Sequence, residues 1–252
     1  MALEVLWFIL ALLGSFLSGS IPYSVIIGRL RTGKDLRNYN IGNPGGFNAV
    51  LTYGIPIGMI VIFADVLKGL IPIALIDWSF SKYIGIDTIW YQLAVILGPA
   101  LCILGHNHSP FLNFRGGRGA AVFAGTFFWV NPLVFIILFL PFAIMIGLFK
   151  VPTRVSMILA AIFYLPAALF IPIAPPYSMH MLETLAFPQA NPFLYLVPFL
   201  LSLGMLLAQL PRLIPSVIAA IRGEEWTYTI SEGQQLPEKF KKDKETVSKE
   251  ET

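Results

Sequence analysis

The 252-residue sequence holds one cysteine, three histidines and few charges, with 12% of its residues ionisable as Asp, Glu, Lys or Arg. Each scarcity excludes something. Cys102 stands alone in an apolar stretch, so it cannot close an internal disulfide and reads as a small buried hydrophobe. A charged fraction roughly half that of a soluble domain, beside 56% hydrophobic residues and a mean hydropathy of +0.75, excludes an ordinary water-soluble fold. The net charge of +3 is small and unevenly placed, so it speaks to membrane orientation and not to nucleic-acid binding. The apolar N-terminal segment carries Glu4, lacks a basic n-region and runs into further apolar sequence; it is expected to be a retained first helix and not a signal peptide. His106 and His108 lie two positions apart with no cysteine or carboxylate nearby, short of the ligand set a metal site needs. No Ser-His-Asp triad can be assembled, and the nearest approach to a His-x4-Asp motif, His108 with Asn113, ends in an amide that cannot act as a carboxylate.

What the chain has in abundance is long apolar runs. A spanning helix needs about 20 apolar residues, each adding 1.5 Å across a hydrocarbon core of roughly 30 Å. Candidate spans run from about Ala2 to Gly28, Leu51 to Ile76, Thr88 to Leu104, Val155 to Ile173 and Asn191 to Gln209. The stretch from Ala120 to Phe149 is too long for one span and is broken at Asn131-Pro132, where proline removes a backbone donor; it reads as a hairpin of two short helices. The chain is therefore expected to be an all-α integral membrane protein of about seven transmembrane helices. Short cytoplasmic loops gather Lys and Arg. With seven crossings, Arg29, Arg31, Lys34 and Arg37, then Arg115 and Arg118, then Lys150 and Arg154, then Arg212 and Arg222 all share one face. The opposite face receives Asp77, Lys82, Asp87, His180 and Glu183, without basic excess, and a proline-bearing turn from Ala174 to Gln189. The N-terminus is thus expected outside and the C-terminus in the cytoplasm. Residues 1–222 form the membrane domain, and residues 223–252, with mixed charge and few large apolar side chains, read as a solvated, partly disordered tail.

Three polar constellations interrupt this apolar background. Gly116-Gly117-Arg118-Gly119 lies between the span that ends near Gly105 and the helix that begins near Ala120. Glycines let backbone N–H groups converge on an anion, Arg115 and Arg118 add positive charge, and the next helix offers its positive N-terminal end, so the run reads as an anion cradle for a phosphorylated or acyl-phosphate ligand. It also reads as a glycine-rich connector whose arginines mark the cytoplasmic side. His106 beside it can act as an acid, a base or a hydrogen-bond donor to phosphate, or can cap helix carbonyls. The second constellation, Gly42-Asn43-Pro44-Gly45-Gly46-Phe47-Asn48, is a glycine-rich turn on the same face, able to close over a ligand through Asn43 and Asn48. The third is Asp65 with Lys68, three apart on one helix within an apolar segment. Ionisable groups there must face the interior and pair or bind something; they form either a structural ion pair or, through Lys68, part of a phosphate site.

With these residues in view, the chain resembles the PlsY family of bacterial membrane acyltransferases. Gly19-Ser20-Ile21-Pro22-Tyr23-Ser24 with Gly28-Arg29 is similar to the family's opening motif, and Gly42-Asn43-Pro44-Gly45 with Asn48 to its Gly-Ser-Gly-Asn loop. Asp65-Val66-Leu67-Lys68-Gly69 is similar to an Asp-x-x-Lys-Gly segment, and Gly105-His106 through Phe111-Leu112 and Phe114 to Gly116-Gly117-Arg118-Gly119 is the strongest match. The chain differs from the family pattern at Ile41, where the loop serine stands; at Leu51, where an arginine follows the asparagine; and at Arg118, where the family has lysine. Gly223, Glu224 and Glu225 match a Gly-x-Glu, but Arg212 to Ile218 shows neither member of the His-x-x-Asn pattern that precedes it. Ser156 lies in a segment similar to the family's serine-rich helix.

The resemblance implies a seven-helix fold in the cell membrane with its site facing the cytoplasm. It implies transfer of an acyl group from acyl-phosphate to glycerol 3-phosphate, giving 1-acyl-glycerol 3-phosphate for phospholipid synthesis, with no cofactor and with membrane lipids as surroundings. The residues it points to are Arg118, His106 and Lys68 as catalytic groups. Ser20, Asn43, Asn48, Asp65, Gly116, Gly117, Gly119 and Ser156 are the corresponding substrate contacts. The losses at Ile41, Leu51 and the C-terminal pattern leave open two alternatives: an altered acceptor, or a non-catalytic protein that binds lipid or acyl-phosphate.

Overall fold

The computed structural model describes residues 2–40, 42–86, 88–130, 140–141, 144–145 and 193–221, and all regular structure among them is helical. The first apolar run does not form one continuous helix. α1 (Ala2–Ser20) stops before Pro22, which has no N–H to continue the ladder, and the chain restarts as α2 (Tyr23–Thr32). Gly33, in the left-handed region at φ +69°, ends α2 by donating its N–H to the Arg29 carbonyl. A 3₁₀ turn (Leu36–Asn38) and a short α3 (Gly46–Tyr53) follow. Gly54, at φ +84°, breaks α3 from α4 (Ile55–Tyr83), which opens with Pro56 in its first turn.

The span expected to begin at Leu51 therefore starts at Ile55 and runs to Tyr83, a rise of about 44 Å. As a result Asp77 and Lys82, expected in an outer loop, lie within α4. α5 (Ile89–Asn107) is capped by Thr88, whose hydroxyl accepts from the Tyr91 N–H at 3.2 Å. A 3₁₀ turn (Pro110–Leu112), α6 (Ala120–Val130) and α7 (Phe193–Ile221) complete the described elements. α7 continues past the expected end at Gln209 and takes in Arg212. The Asn131-Pro132 break, the 155–173 span, the 174–189 turn and the 223–252 tail lie outside the described residues.

Among the described residues, three helical stretches are long and apolar enough to cross a membrane: Ala2–Thr32, Ile55–Tyr83 and Ile89–Leu112. Their outer faces carry large apolar side chains, among them Leu6, Leu13 and Leu17 of α1 and Phe63 and Leu75 of α4, an arrangement suited to lipid as solvent. α5 lies at the centre, with α1 and α7 packed along it. Its Tyr91, Val95, Cys102 and Ile103 meet Ile73 and Phe80 of α4, Val122 and Phe127 of α6, and Leu201 and Met205 of α7.

Glycines set how closely the helices approach. A β-carbon at Gly69 would overlap the Val122 carbonyl, and one at Gly125 the Val66 carbonyl, so α4 and α6 cross backbone to backbone. Gly19 against the Cys102 carbonyl and Gly105 against Phe16 do the same for α1 and α5. Farther along the bundle, buried Asp77 accepts from the Tyr91 hydroxyl at 2.8 Å and the Trp129 indole at 3.3 Å, tying α4 to α5 and α6.

Candidate active site

The last carbonyls of an α-helix have no partner within it. At the end of α5 the glycine run supplies them: Gly116 donates its N–H to Asn107 O at 3.1 Å and Gly117 donates to His106 O at 3.0 Å. The expected convergence of these two N–H groups on an anion is thereby corrected, since both cap α5. The need for glycine is steric. A β-carbon at Gly116 would overlap the His106 carbonyl, and one at Gly117 would overlap the His106 imidazole. Gly119, at φ +80°, turns the chain so that its carbonyl receives the Phe123 N–H at 2.8 Å and α6 begins. Arg118 is held half-buried between Gly117 and Gly119, directly before the positive end of α6, while Arg115 is exposed. His106 is buried.

The preceding turn, from Ser109 to Phe114, winds through left-handed Asn113 (φ +51°) and Phe114 (φ +60°), with the Ser109 carbonyl accepting from Leu112 and Phe114. The Ser109 hydroxyl donates to the Ser20 carbonyl, which fastens the end of α1 beneath the glycine run. The Ser20 hydroxyl turns back to the Phe16 carbonyl at 2.8 Å.

Lys68 and Asp65 are both buried and paired at 3.0 Å. Lys68 Nζ also donates to the Ile21 carbonyl at 2.9 Å, at the break between α1 and α2, and lies 5.7 Å from the Tyr23 ring centre. The Lys68 carbonyl accepts from the Ser18 hydroxyl and the Cys102 thiol, each at 3.2 Å. The pair is therefore a knot that joins α4 to α1 and α5 beside Ser20.

In the second loop, Asn48 is buried and donates to the carbonyls of Leu36 (2.9 Å), Asn43 (2.8 Å) and Tyr39 (3.3 Å). It shapes the loop from within. Ser24 donates to the Pro44 carbonyl at 2.9 Å, and Asn43 Oδ1 is buried with no hydrogen-bond partner among the described residues. Leu112, from the turn that leads into the glycine run, packs in one apolar cluster with Val25, Leu36, Ala49 and Val61. The two glycine-rich loops thus sit on a shared floor. Leu51 is partly buried on α3, and Ile41 and Ser156 lie outside the described residues.

At the rim, Asp35 accepts from Arg37 (2.8 Å) and Arg29 (2.9 Å). Burial pushes its carboxyl up, but the hydrogen bonds and charge of Arg37, helped by Arg29, outweigh that and hold it below the ordinary value. The Tyr53 hydroxyl receives the Leu36 N–H at 2.9 Å and occupies space that only Gly28 leaves open.

Asn107, Ser109 and Tyr53 were not singled out from the sequence, and Ser24 entered only as the last residue of the opening motif. The signal for the first two is a polar run, His106 to Ser109, at the end of an apolar helix. Asn107 also reaches α7, donating to the Ala208 carbonyl at 3.2 Å.

Comparison with known proteins agrees with this architecture. A family model described as glycerol-3-phosphate acyltransferase matches residues 9–216. A glycerol-3-phosphate acyltransferase of Staphylococcus aureus strain Newman is 34% identical over 152 residues, covering 60% of this chain and 75% of the relative; its counterpart in strain JH9 shows the same identity and coverage. A crystal structure of PlsY (YgiH), an integral membrane glycerol 3-phosphate acyltransferase, in its glycerol 3-phosphate form, superposes with a TM-score of 0.63 at 25% identity, covering 88% of this chain and 96% of that one. Its lysophosphatidic acid form shares the fold with a TM-score of 0.61 at 24% identity, over 90% and 97% of the two chains. This chain is an integral membrane protein and belongs to the glycerol-3-phosphate acyltransferase family.

Proposed function

We propose that the chain transfers an acyl group from acyl-phosphate to glycerol 3-phosphate, releasing inorganic phosphate and 1-acyl-glycerol 3-phosphate. The observation that carries this reading is the closed base of the glycine run. Capping by Gly116 and Gly117 ties the segment that carries half-buried Arg118, just before the start of α6, to the end of α5, where His106 is buried. The neighbouring PlsY structures are described in glycerol 3-phosphate and lysophosphatidic acid forms, an acceptor and a product of this reaction.

The acceptor hydroxyl oxygen bonds to the acyl carbonyl carbon, the bond from that carbon to the phosphate oxygen breaks, and the phosphate leaves with the electron pair. Arg118 neutralises the charge that grows on the leaving phosphate, and the hydroxyl proton passes to His106 and on to that departing phosphate. Asn43 and Asn48 shape the loop facing this site, with Ser20 and Asp65 fastening its floor. Lys68 serves as the tether that closes the α1–α2 break. An apolar groove of about 270 Å³ between α1 and α4 runs from Ser18, next to Lys68, toward Trp7 and Trp78 and offers the acyl chain a path. Seven crossings, with the N-terminus outside and this site on the cytoplasmic face of the cell membrane, agree with the gathering of basic residues on one side.

A second reading, a different acceptor, is favoured by Leu51, which puts a partly buried apolar side chain where the resembled family carries an arginine. The deciding experiment is phosphate release by detergent-purified protein given palmitoyl phosphate, with and without glycerol 3-phosphate, and mass spectrometry of the lipid product. Release that depends on glycerol 3-phosphate and yields lysophosphatidic acid supports transfer. Donor binding without turnover points to the other acceptor or to a lipid-binding role.

A further inference from the structure

α7 carries a buried amide N–H group without a hydrogen-bond partner among the described residues. It is the Nε2 group of Gln209, which is 4% exposed. Its place follows from its neighbours: Leu207 is exposed, while Ser202, Met205 and Ala208 are buried, so Gln209 belongs to the inward face of α7. One residue before it, the Ala208 carbonyl accepts from Asn107 Nδ2 at 3.2 Å. Asn107 in turn receives the Gly116 N–H on its carbonyl, and its side chain lies 3.3 Å from the point where a β-carbon on Gly119 would stand. Gln209 therefore follows directly on the contact between α7 and the base of the glycine run. It also falls one turn before the Arg212 to Ile218 stretch, which lacks the histidine and asparagine of the resembled pattern.

A buried donor without an acceptor destabilises a fold, and such exceptions gather where a ligand supplies the missing partner. We propose that Gln209 is a substrate-binding residue of this chain, its amide N–H group donating to a phosphoryl oxygen of a bound substrate. The inference rests on the acyl-transfer reading above. A primary amide is neutral at every working pH and offers two donors, so it can hold phosphate from α7 without the charge an imidazole would bring. Glycerol 3-phosphate and acyl-phosphate both present that oxygen, and kinetics separate them.

The test compares wild-type full-length protein with Gln209→Leu and Gln209→Met, varying glycerol 3-phosphate at saturating palmitoyl phosphate and the reverse. The expected result is a KM raised about tenfold, or about 1.4 kcal/mol, for the substrate whose phosphate the amide holds. The other KM and kcat should stay within about twofold, and the substrate-free Tm should be equal or higher. A lower Tm with both KM values unchanged means a packing role and overturns the inference. A wild-type protein without turnover sinks the acyl-transfer reading instead. The inference is then decided by the Tm shift on adding either substrate: a shift present in wild type and lost in both variants supports it, and an equal shift, or none in wild type, overturns it.

Discussion

Replacing Gly116 by alanine tests the steric account of the glycine run. The added β-carbon would overlap the His106 carbonyl and lie 2.8 Å from both C and O of Asn107, where ordinary contact begins at 3.4 Å. All three atoms are backbone at the end of α5, so no side chain can rotate away. The loop must move on the order of 1 Å, a displacement that costs about 10²-fold in rate when it misplaces a reacting group. The move also breaks the hydrogen bonds from Gly116 to Asn107 O and from Gly117 to His106 O. Two neutral hydrogen bonds lost, each about 0.5–1.5 kcal/mol, together with overpacking of about 1–3 kcal/mol, give a loss on the order of 3 kcal/mol. For a chain of this size that lowers Tm by on the order of 10 °C.

Gly117→Ala differs in kind, because its β-carbon meets the imidazole of His106, which can turn. It should lose turnover with a smaller fall in Tm, and in a His106→Ala background its stability effect should nearly vanish, a coupling of about 0.5–3 kcal/mol. Thermal unfolding in detergent and palmitoyl phosphate turnover measure both. A Gly116→Ala protein with wild-type Tm and turnover would refute the reasoning, for it would show that the capped end of α5 does not position Arg118.

Lys68→Met leaves buried Asp65 without its partner and frees the Ile21 carbonyl, so stability should fall by about 3–5 kcal/mol. Turnover per folded molecule should fall no more than severalfold, and a stable variant without turnover would return Lys68 to the chemistry. Arg118→Ala should weaken palmitoyl phosphate binding about ten- to hundredfold, the worth of a charged hydrogen bond of about 1.5–3 kcal/mol, as read by Tm shift; undiminished binding would remove Arg118 from the donor site. Asp35 has a carboxyl held below its ordinary value of 3.8. Its ties to Arg37 and Arg29 therefore stabilise the loop above about pH 4 and are lost as pH falls through the lower folded value. The Tm difference between wild type and Asp35→Asn should shrink from about pH 6 to about pH 3, and a difference that grows instead would contradict that sign.

The sequence by itself determined the helical membrane class, because 12% charge against 56% hydrophobic residues leaves lipid as the solvent for most of the surface. It also placed the polar landmarks, since Asp65, Lys68, His106 and the glycine run interrupt apolar stretches where ionisable or side-chain-free residues need a reason. Helix boundaries were less legible. Hydropathy carried the first run through Pro22 as one helix, and the last run was stopped at Gln209 although α7 continues to Ile221. Apolar averages do not register a missing N–H or tell a helical arginine from one in a loop.

What the tertiary structure alone decided is the use of each polar group. The N–H groups of Gly116 and Gly117 face inward because the open carbonyls at the end of α5 lie within reach, in a turn that Ser109 also ties to the end of α1. Asn107 and, one residue beyond its partner, Gln209 gained their significance in the same way, from the contact of Asn107 with Ala208, 101 positions away. Motif spacing reports which groups a segment offers. Only the packing of α1, α4, α5 and α7 sets which of those groups another backbone has already satisfied, because hydrogen bonds depend on distances of a few ångströms that chain order does not encode.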